Sequence, residues 1–196
     1  MHMGFAITWC AVPEEKADEF FHRLGLSPTG KTEGIPESLI VTARLDTGWR
    51  VMWYNKYGCP FLRPQDLASI SVDQDVIMCL VEEHVMASSS EMWSGGKRKW
   101  WLSHEGEDGP KGLSTDGDLP ASFPAIRKDM EQSQLAEGGD SADIDYIFEI
   151  PLKVAQTIVG FKHDEECSHL LDRHFIVMSQ TTPEAGFFRR LFRRKE

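Results

Sequence analysis

Val76-Ile77-Met78-Cys79-Leu80-Val81 is an unbroken apolar run, the pattern of a strand covered on both faces. It continues through Glu82-Glu83-His84 and Val85-Met86-Ala87-Ser88-Ser89-Ser90-Glu91-Met92 to Trp93. Ser94-Gly95-Gly96-Lys97 follows, then Arg98-Lys99-Trp100-Trp101-Leu102-Ser103-His104. A Gly-Gly pair between two strand-like runs marks a hairpin, because primed turns need φ > 0 at their central residues. With Gly95-Gly96 as the loop, Trp93 should face Arg98 and Glu91 should face Trp100. Cross-strand pairs of this kind each stabilise a hairpin by about 0.2–1 kcal/mol. The stretch predicts two long antiparallel strands on which the other elements dock.

Upstream, Phe5 to Val12 reads as a strand. Pro13 opens a helix, where its missing N–H costs nothing. Ala17, Phe20, Phe21 and Leu24 then follow the i, i+3, i+4, i+7 spacing of a core-facing stripe, and Gly25 ends it. Pro28, Gly30, Gly34 and Pro36 predict a loop over 27–38. Leu39–Leu45 and Trp49–Tyr54 are strands joined by Asp46-Thr47-Gly48, with Trp49, Val51 and Trp53 on one face and Arg50, Met52 and Tyr54 on the other. A loop from Asn55 leads to a short helix from Pro64 to Ile70.

Downstream, residues 105–120 are polar and rich in turn formers, which predicts a mobile acidic loop. Ser122 and Pro124 start a helix with Ile126 and Met130 inward, fading by Gly138-Gly139. Ile144, Tyr146, Phe148 and Ile150 alternate as in a strand. Pro151–Val159 is a helix closed by Gly160, Asp164–Asp172 is a candidate helix, and Phe175–Met178 is a short strand. Runs of adjacent strands joined by tight turns predict an α+β fold: an antiparallel-dominated sheet with a long central hairpin and helices mainly on one side.

At 196 residues the chain fits one domain over 3–180 and a tail over 181–196. The net charge of −10 argues against nucleic-acid binding by the body, since phosphate contacts need clustered Lys and Arg. It favours steering of a basic partner. Arg189, Arg190, Arg193, Arg194 and Lys195 stand against Glu196. Setting these aside, from totals of 21 basic and 31 acidic residues, leaves 16 and 30, a body near −14. In the tail, Phe188, Leu191 and Phe192 would share a helix face flanked by Arg189, Arg190, Arg193 and Arg194. Such a segment suits an anionic membrane surface or the acidic body itself, or else a solvated tail.

Cys10, Cys59, Cys79 and Cys167 are widely spaced with no CxxC pair, which predicts reduced thiols and a cytoplasmic location. No stretch of about 20 apolar residues exists, and no basic-then-apolar leader is read at Met1.

Glu82, His84 and His104 are candidates for acid–base or divalent-metal chemistry. The plainer reading is a polar strand end meeting solvent, because spacing places no third ligand. His163, Cys167 and His169 form H-x3-C-x-H, a partial zinc pattern without its partner pair, so no metal is expected. Cys59 with His104 is a conceivable nucleophile pair. There is no GxSxG elbow, P-loop or GxGxxG fingerprint, and no cofactor is expected. Lys97-Arg98-Lys99-Trp100-Trp101 reads first as a hairpin tip with inward tryptophans, then as a protein-binding edge, and last as a base-stacking platform.

Gly4-Phe5-Ala6-Ile7-Thr8-Trp9, Val81-Glu82-Glu83-His84-Val85-Met86 and Phe161-Lys162-His163-Asp164-Glu165 give a layout that resembles uncharacterised small bacterial cytoplasmic proteins. In size, charge and build it is also similar to immunity proteins of bacterial toxin systems. The resemblance implies a non-enzymatic domain that binds a basic toxin enzyme and occludes its active site, and it carries over no functional residue. Glu82, Glu83, Glu91, Trp100, Trp101, Asp108 and Asp116 are the partner-binding candidates. The alternatives are a small hydrolase or metal-dependent enzyme using Glu82, His84 and His104, and a peripheral membrane or scaffold protein using the tail.

Overall fold

A computed structural model describes residues 4–165 and 169–180. Nine strands form one sheet: β1 (Ala6–Pro13), β2 (Leu26–Glu33), β3 (Ile40–Arg44), β4 (Trp49–Tyr54), β5 (Val76–Glu82), β6 (Ala87–Ser94), β7 (Lys97–His104), β8 (Leu113–Gly117) and β9 (Phe175–Gln180). Their spatial order is β2-β9-β3-β4-β1-β5-β6-β7-β8, and neighbours pair antiparallel throughout. The α-helices are α1 (Ala17–Arg23), α2 (Pro64–Ile70), α3 (Phe123–Ala136) and α4 (Glu149–Val159). This is the α+β, antiparallel architecture expected from the tight turns.

Side-chain alternation divides the core between the two faces of the sheet. Ile7, Trp9 and Ala11 of β1 join Val51, Trp53, Cys79, Val81 and Leu102 under α4 and the inward residues of α3. Cys10, Val12, Met52, Tyr54 and Val76 face the other way, against Phe20 and Phe21 of α1 and Leu67 and Ile70 of α2. The two longer helices thus share one face and the two short ones lie on the other. No described helix is long and apolar enough to cross a membrane.

Gly160 has φ 80°, and a Cβ there would sit 2.5 Å from Thr47 Cγ2. It closes α4 in the left-handed conformation that glycine adopts without penalty. The Thr47 hydroxyl donates to the carbonyl of Val159 at 2.6 Å, which ties the β3–β4 turn to the end of α4.

The structure corrects six local expectations. The run from Val76 to Trp93 is two strands, broken by a turn over Glu83–Met86 in which Met86 takes φ 51°. No Gly, Pro, Asn or Asp announces that turn. At the hairpin tip Trp93 faces Arg98 as expected, but a register shift between Met92 and Trp93 places Glu91 opposite Trp101. Residues 27–38, expected as loop, contain β2. Pro28 is tolerated on this edge strand, and a register shift between Pro28 and Thr32 absorbs Gly30. Residues 105–120, expected as loop, form two short 3-10 turns within Gly106–Lys111, meeting at a kink at Gly109, and then β8. Of residues 144–150, expected as a strand, 144–148 are a turn and 149–150 begin α4, because Asp145 Oδ1 accepts the backbone N–H groups of Ile147 at 3.0 Å and Phe148 at 3.3 Å. The candidate helix at 164–172 is a turn and bend over its described residues; 166–168 lie outside them.

Candidate functional site

The turn that breaks the long strand also builds the site. Glu83 Oε2 accepts the backbone N–H of Phe5 at 2.8 Å, which fixes the turn to the start of β1. Its Oε1 lies 3.1 Å from Nε2 of His163, a side chain 1% exposed. Phe5 packs edge-on against that imidazole at 5.0 Å. On the other side, Gly106 packs against the same turn. A Cβ there would stand 2.5 Å from the carbonyl oxygen of Val85, so any larger residue would push the 106–111 segment away.

A second anchor sits one layer in. His104 is fully buried, and its Nε2 donates to Oδ2 of Asp145 at 2.7 Å. Because Asp145 Oδ1 also holds the N–H groups of Ile147 and Phe148, this carboxylate joins β7 to the entrance of α4. Ser88 reinforces the joint by donating to the Phe148 carbonyl at 2.7 Å. Lys162 forms the third anchor, with Nζ 3.0 Å from Glu149 and 2.7 Å from Asp164. Burial works to lower its pKa, but the Asp164 hydrogen bonds and the Glu149 charge overcome this and raise it. Burial likewise opposes ionisation of Asp164, and the Lys162 contact outweighs it, leaving that carboxyl below the usual range. Such partnering is what makes a buried ammonium tolerable.

Between these anchors lie two adjoining clefts of about 740 and 710 Å3. They share His84, Met86, Ile144 and Asp145, so they form one groove. Its floor is apolar: Met86, Met130, Tyr146 and Phe148 line it. Val85 and Ile144, 61% and 53% exposed, extend that surface at the rim. Six carboxylates line it, those of Glu83, Glu107, Asp140, Asp143, Asp145 and Glu149, against Lys153, Lys162 and His84. Glu83, Asp145 and Glu149 are engaged as described, and Asp140 lies 3.6 Å from Lys111. Glu107 and Asp143 are exposed and make no side-chain hydrogen bond or ion pair among the described residues.

The residues singled out from sequence fall in several places. Glu83 and His84 reach the groove, whereas Glu82 is bound by His84 Nδ1 at 2.7 Å. Glu82 lies on the β5 face of Met78 and Leu80, opposite to Val81 and to Leu102 and His104 of β7. Glu82, His84 and His104 therefore do not converge on one point. His163 sits at the Phe5 end of β1. His169 Nδ1 lies 3.1 Å from Asp46, in the β3–β4 turn beside the Pro13 end. Those two histidines are separated by the length of the strand, and Cys167 lies outside the described residues. Among the described residues no group of three His, Cys, Asp or Glu side chains is placed to hold a metal. Cys59 is buried, its thiol pushed up to about 12 by burial, on the α1–α2 side of the sheet, away from His104.

Glu91, Trp101 and Asp116 gather instead around Arg98. The guanidinium lies over the Trp101 ring at 5.7 Å and 3.6 Å from both carboxylates. Trp100 is core, 3% exposed, and Asp108 is exposed in the 3-10 turn. The tail candidates Phe188, Arg189, Arg190, Leu191, Phe192, Arg193 and Arg194 lie outside the described residues. Sequence reading missed Asp145, Asp143, Met130 and Lys162 as site residues. The only local signal was the acidic pair Asp143 and Asp145 flanking exposed Ile144, hidden by its resemblance to a strand.

Burial raises the Glu91 carboxyl above its ordinary range, and Arg98 offsets this only in part. An acid raised in the native state binds its proton more tightly there than in the unfolded chain. Its stability contribution is therefore greatest below the ordinary glutamate range and is lost as pH rises toward the native pKa. Glu91→Gln should accordingly gain stability relative to the parent as pH rises from 4.5 to 7.5, measured as the difference in Tm. A difference that does not change with pH would contradict the assignment.

No family model, curated protein or solved structure matches this chain.

Proposed function

We propose that the chain is a non-enzymatic protein-binding domain whose groove takes a basic, partly apolar segment of a partner. The observation that carries this reading is the groove itself, a Met- and aromatic-lined floor bordered by carboxylates, two of them without partners among the described residues. Methionine side chains adapt to varied apolar surfaces, and a rim of one sign steers an oppositely charged partner and sets specificity more than raw affinity. The dispersal of Glu82, His84 and His104 favours binding over acid–base chemistry.

In the finer form of this proposal the partner is a basic toxin enzyme, and the acidic face covers the approach to its active site. The free, buried thiols of Cys10, Cys59 and Cys79 suit the reducing cytoplasm that such a role requires. The test is calorimetry with a Lys/Arg- and Phe-containing dodecapeptide, on the chain and on a Glu107→Lys/Asp143→Lys variant. The variant should lose at least tenfold in affinity.

A further inference from the structure

The strand registers locate the end of the described chain relative to the groove. β9 runs antiparallel to β3, with Val177 opposite Val41, so Gln180 comes level with residue 38, ahead of Ile40. Ile40 pairs with Tyr54, Tyr54 with Thr8, and Ala6 with Glu82. Gln180 therefore leaves the sheet at the end where β5 enters the Glu83–Met86 turn. Four strand spacings, through β3, β4 and β1 to β5, put these two points about 20 Å apart.

Residues 181–196 lie outside the described structure, and their sequence is what matters here. Thr181-Thr182-Pro183-Glu184-Ala185-Gly186 is a six-residue spacer, whose extended reach is also about 20 Å. Phe187-Phe188-Arg189-Arg190-Leu191-Phe192-Arg193-Arg194-Lys195 follows. Its chemistry is the complement of the groove: aromatic and aliphatic side chains for the Met130, Tyr146 and Phe148 floor, five cations for the rim. Nine residues span up to about 30 Å. Entering from the Glu83 side, Phe187 and Phe188 meet the apolar floor before the basic residues come to Asp143 and Glu107.

We propose that residues 187–195 occupy the groove when no partner does, so that a partner must displace them. This rests on the reading of the groove as a site for basic, partly apolar segments and adds an intramolecular competitor to it. Joining two sites by a spacer that can span them makes the contact intramolecular, with an effective concentration set by how the spacer's length matches that span.

Hydrogen exchange read by mass spectrometry on the full chain tests this, against a full-length Arg189→Glu/Arg190→Glu/Arg193→Glu/Arg194→Glu variant. In the variant, amides of 84–86 and 140–148 should exchange severalfold faster, while those of the β3–β4 turn at the far end stay unchanged. The parent in 0.5 M NaCl should move in the same direction. The basic dodecapeptide should also bind the variant more tightly than the parent. Equal exchange in parent and variant would overturn the proposal. If the dodecapeptide still binds the groove in that case, the reading of the groove survives and only its intramolecular occupant is lost; if it does not, both fall. Equal exchange with tail-dependent flotation on phosphatidylserine vesicles would overturn the proposal in favour of a membrane role for the segment.

Discussion

Asp145→Ala should destabilise the protein by about 3 kcal/mol, since a buried polar group left without its partner costs about 1–3 kcal/mol and the loss of a hydrogen-bonded carboxylate acceptor for backbone N–H groups about 1 more. For a chain of this size that is a fall in Tm of roughly 6–12 °C. The substitution removes the partner of His104 Nε2 in a ring that is 0% exposed. The opposite ring nitrogen already has no partner among the described residues, so the imidazole would be left wholly unsatisfied. It also frees the N–H groups that set the entrance of α4. Asp145→Asn keeps an acceptor for those N–H groups and offers an amide donor to the other tautomer of His104, so its cost should be about 1 kcal/mol. Denaturant unfolding of the two variants is the measurement. Equal losses would show that the carboxylate acts through something other than these hydrogen bonds.

Trp9→Ala should cost about 3–5 kcal/mol, the range for removing a large aromatic from a packed interior. Trp9 is 0% exposed, stands between Trp53 of β4 and Cys79 of β5 in the register, and meets Phe161 edge-on at 5.3 Å. Its indole N–H has no partner among the described residues, so Trp9→Phe should lose far less than Ala. Thermal melts of both variants separate packing from polarity. Because Phe161 leads directly into Lys162 and His163, the alanine variant should also bind the basic dodecapeptide less well than Trp9→Phe does. Equal peptide affinity in the two would show that the groove wall does not depend on this contact.

Where the sequence was legible, one periodicity dominated. Phe5–Val12 was legible as the strand β1, the alternation through Trp49–Tyr54 identified the faces of β4, and the glycines at 95, 96 and 160 marked turns whose φ values only glycine adopts without cost. Reading failed where tertiary contacts override local pattern. Met86 is held in a left-handed conformation by a turn that Phe5, His163 and Gly106 surround, all distant in sequence. Ile144 to Ile150 alternates like a strand, yet Asp145 is claimed by His104 from β7 and bends the chain into α4. The site suffered for the same reason. Glu83 and His84 were visible as a polar interruption of an apolar run, but nothing local tells that Asp143, Met130 and Lys162 face the same groove.

Whether the groove binds basic segments is decided by an isothermal titration of the basic dodecapeptide into the full chain at 50 and 300 mM NaCl. It is repeated with Glu107→Lys/Asp143→Lys and with a Glu15→Lys/Asp18→Lys control, whose exposed carboxylates lie at the opposite end of β1. Binding should weaken with salt, fall at least tenfold in the groove variant, and fall much less in the control. Equal losses in the two variants would mean that net charge alone attracts the peptide. That result would contradict the groove as the binding site.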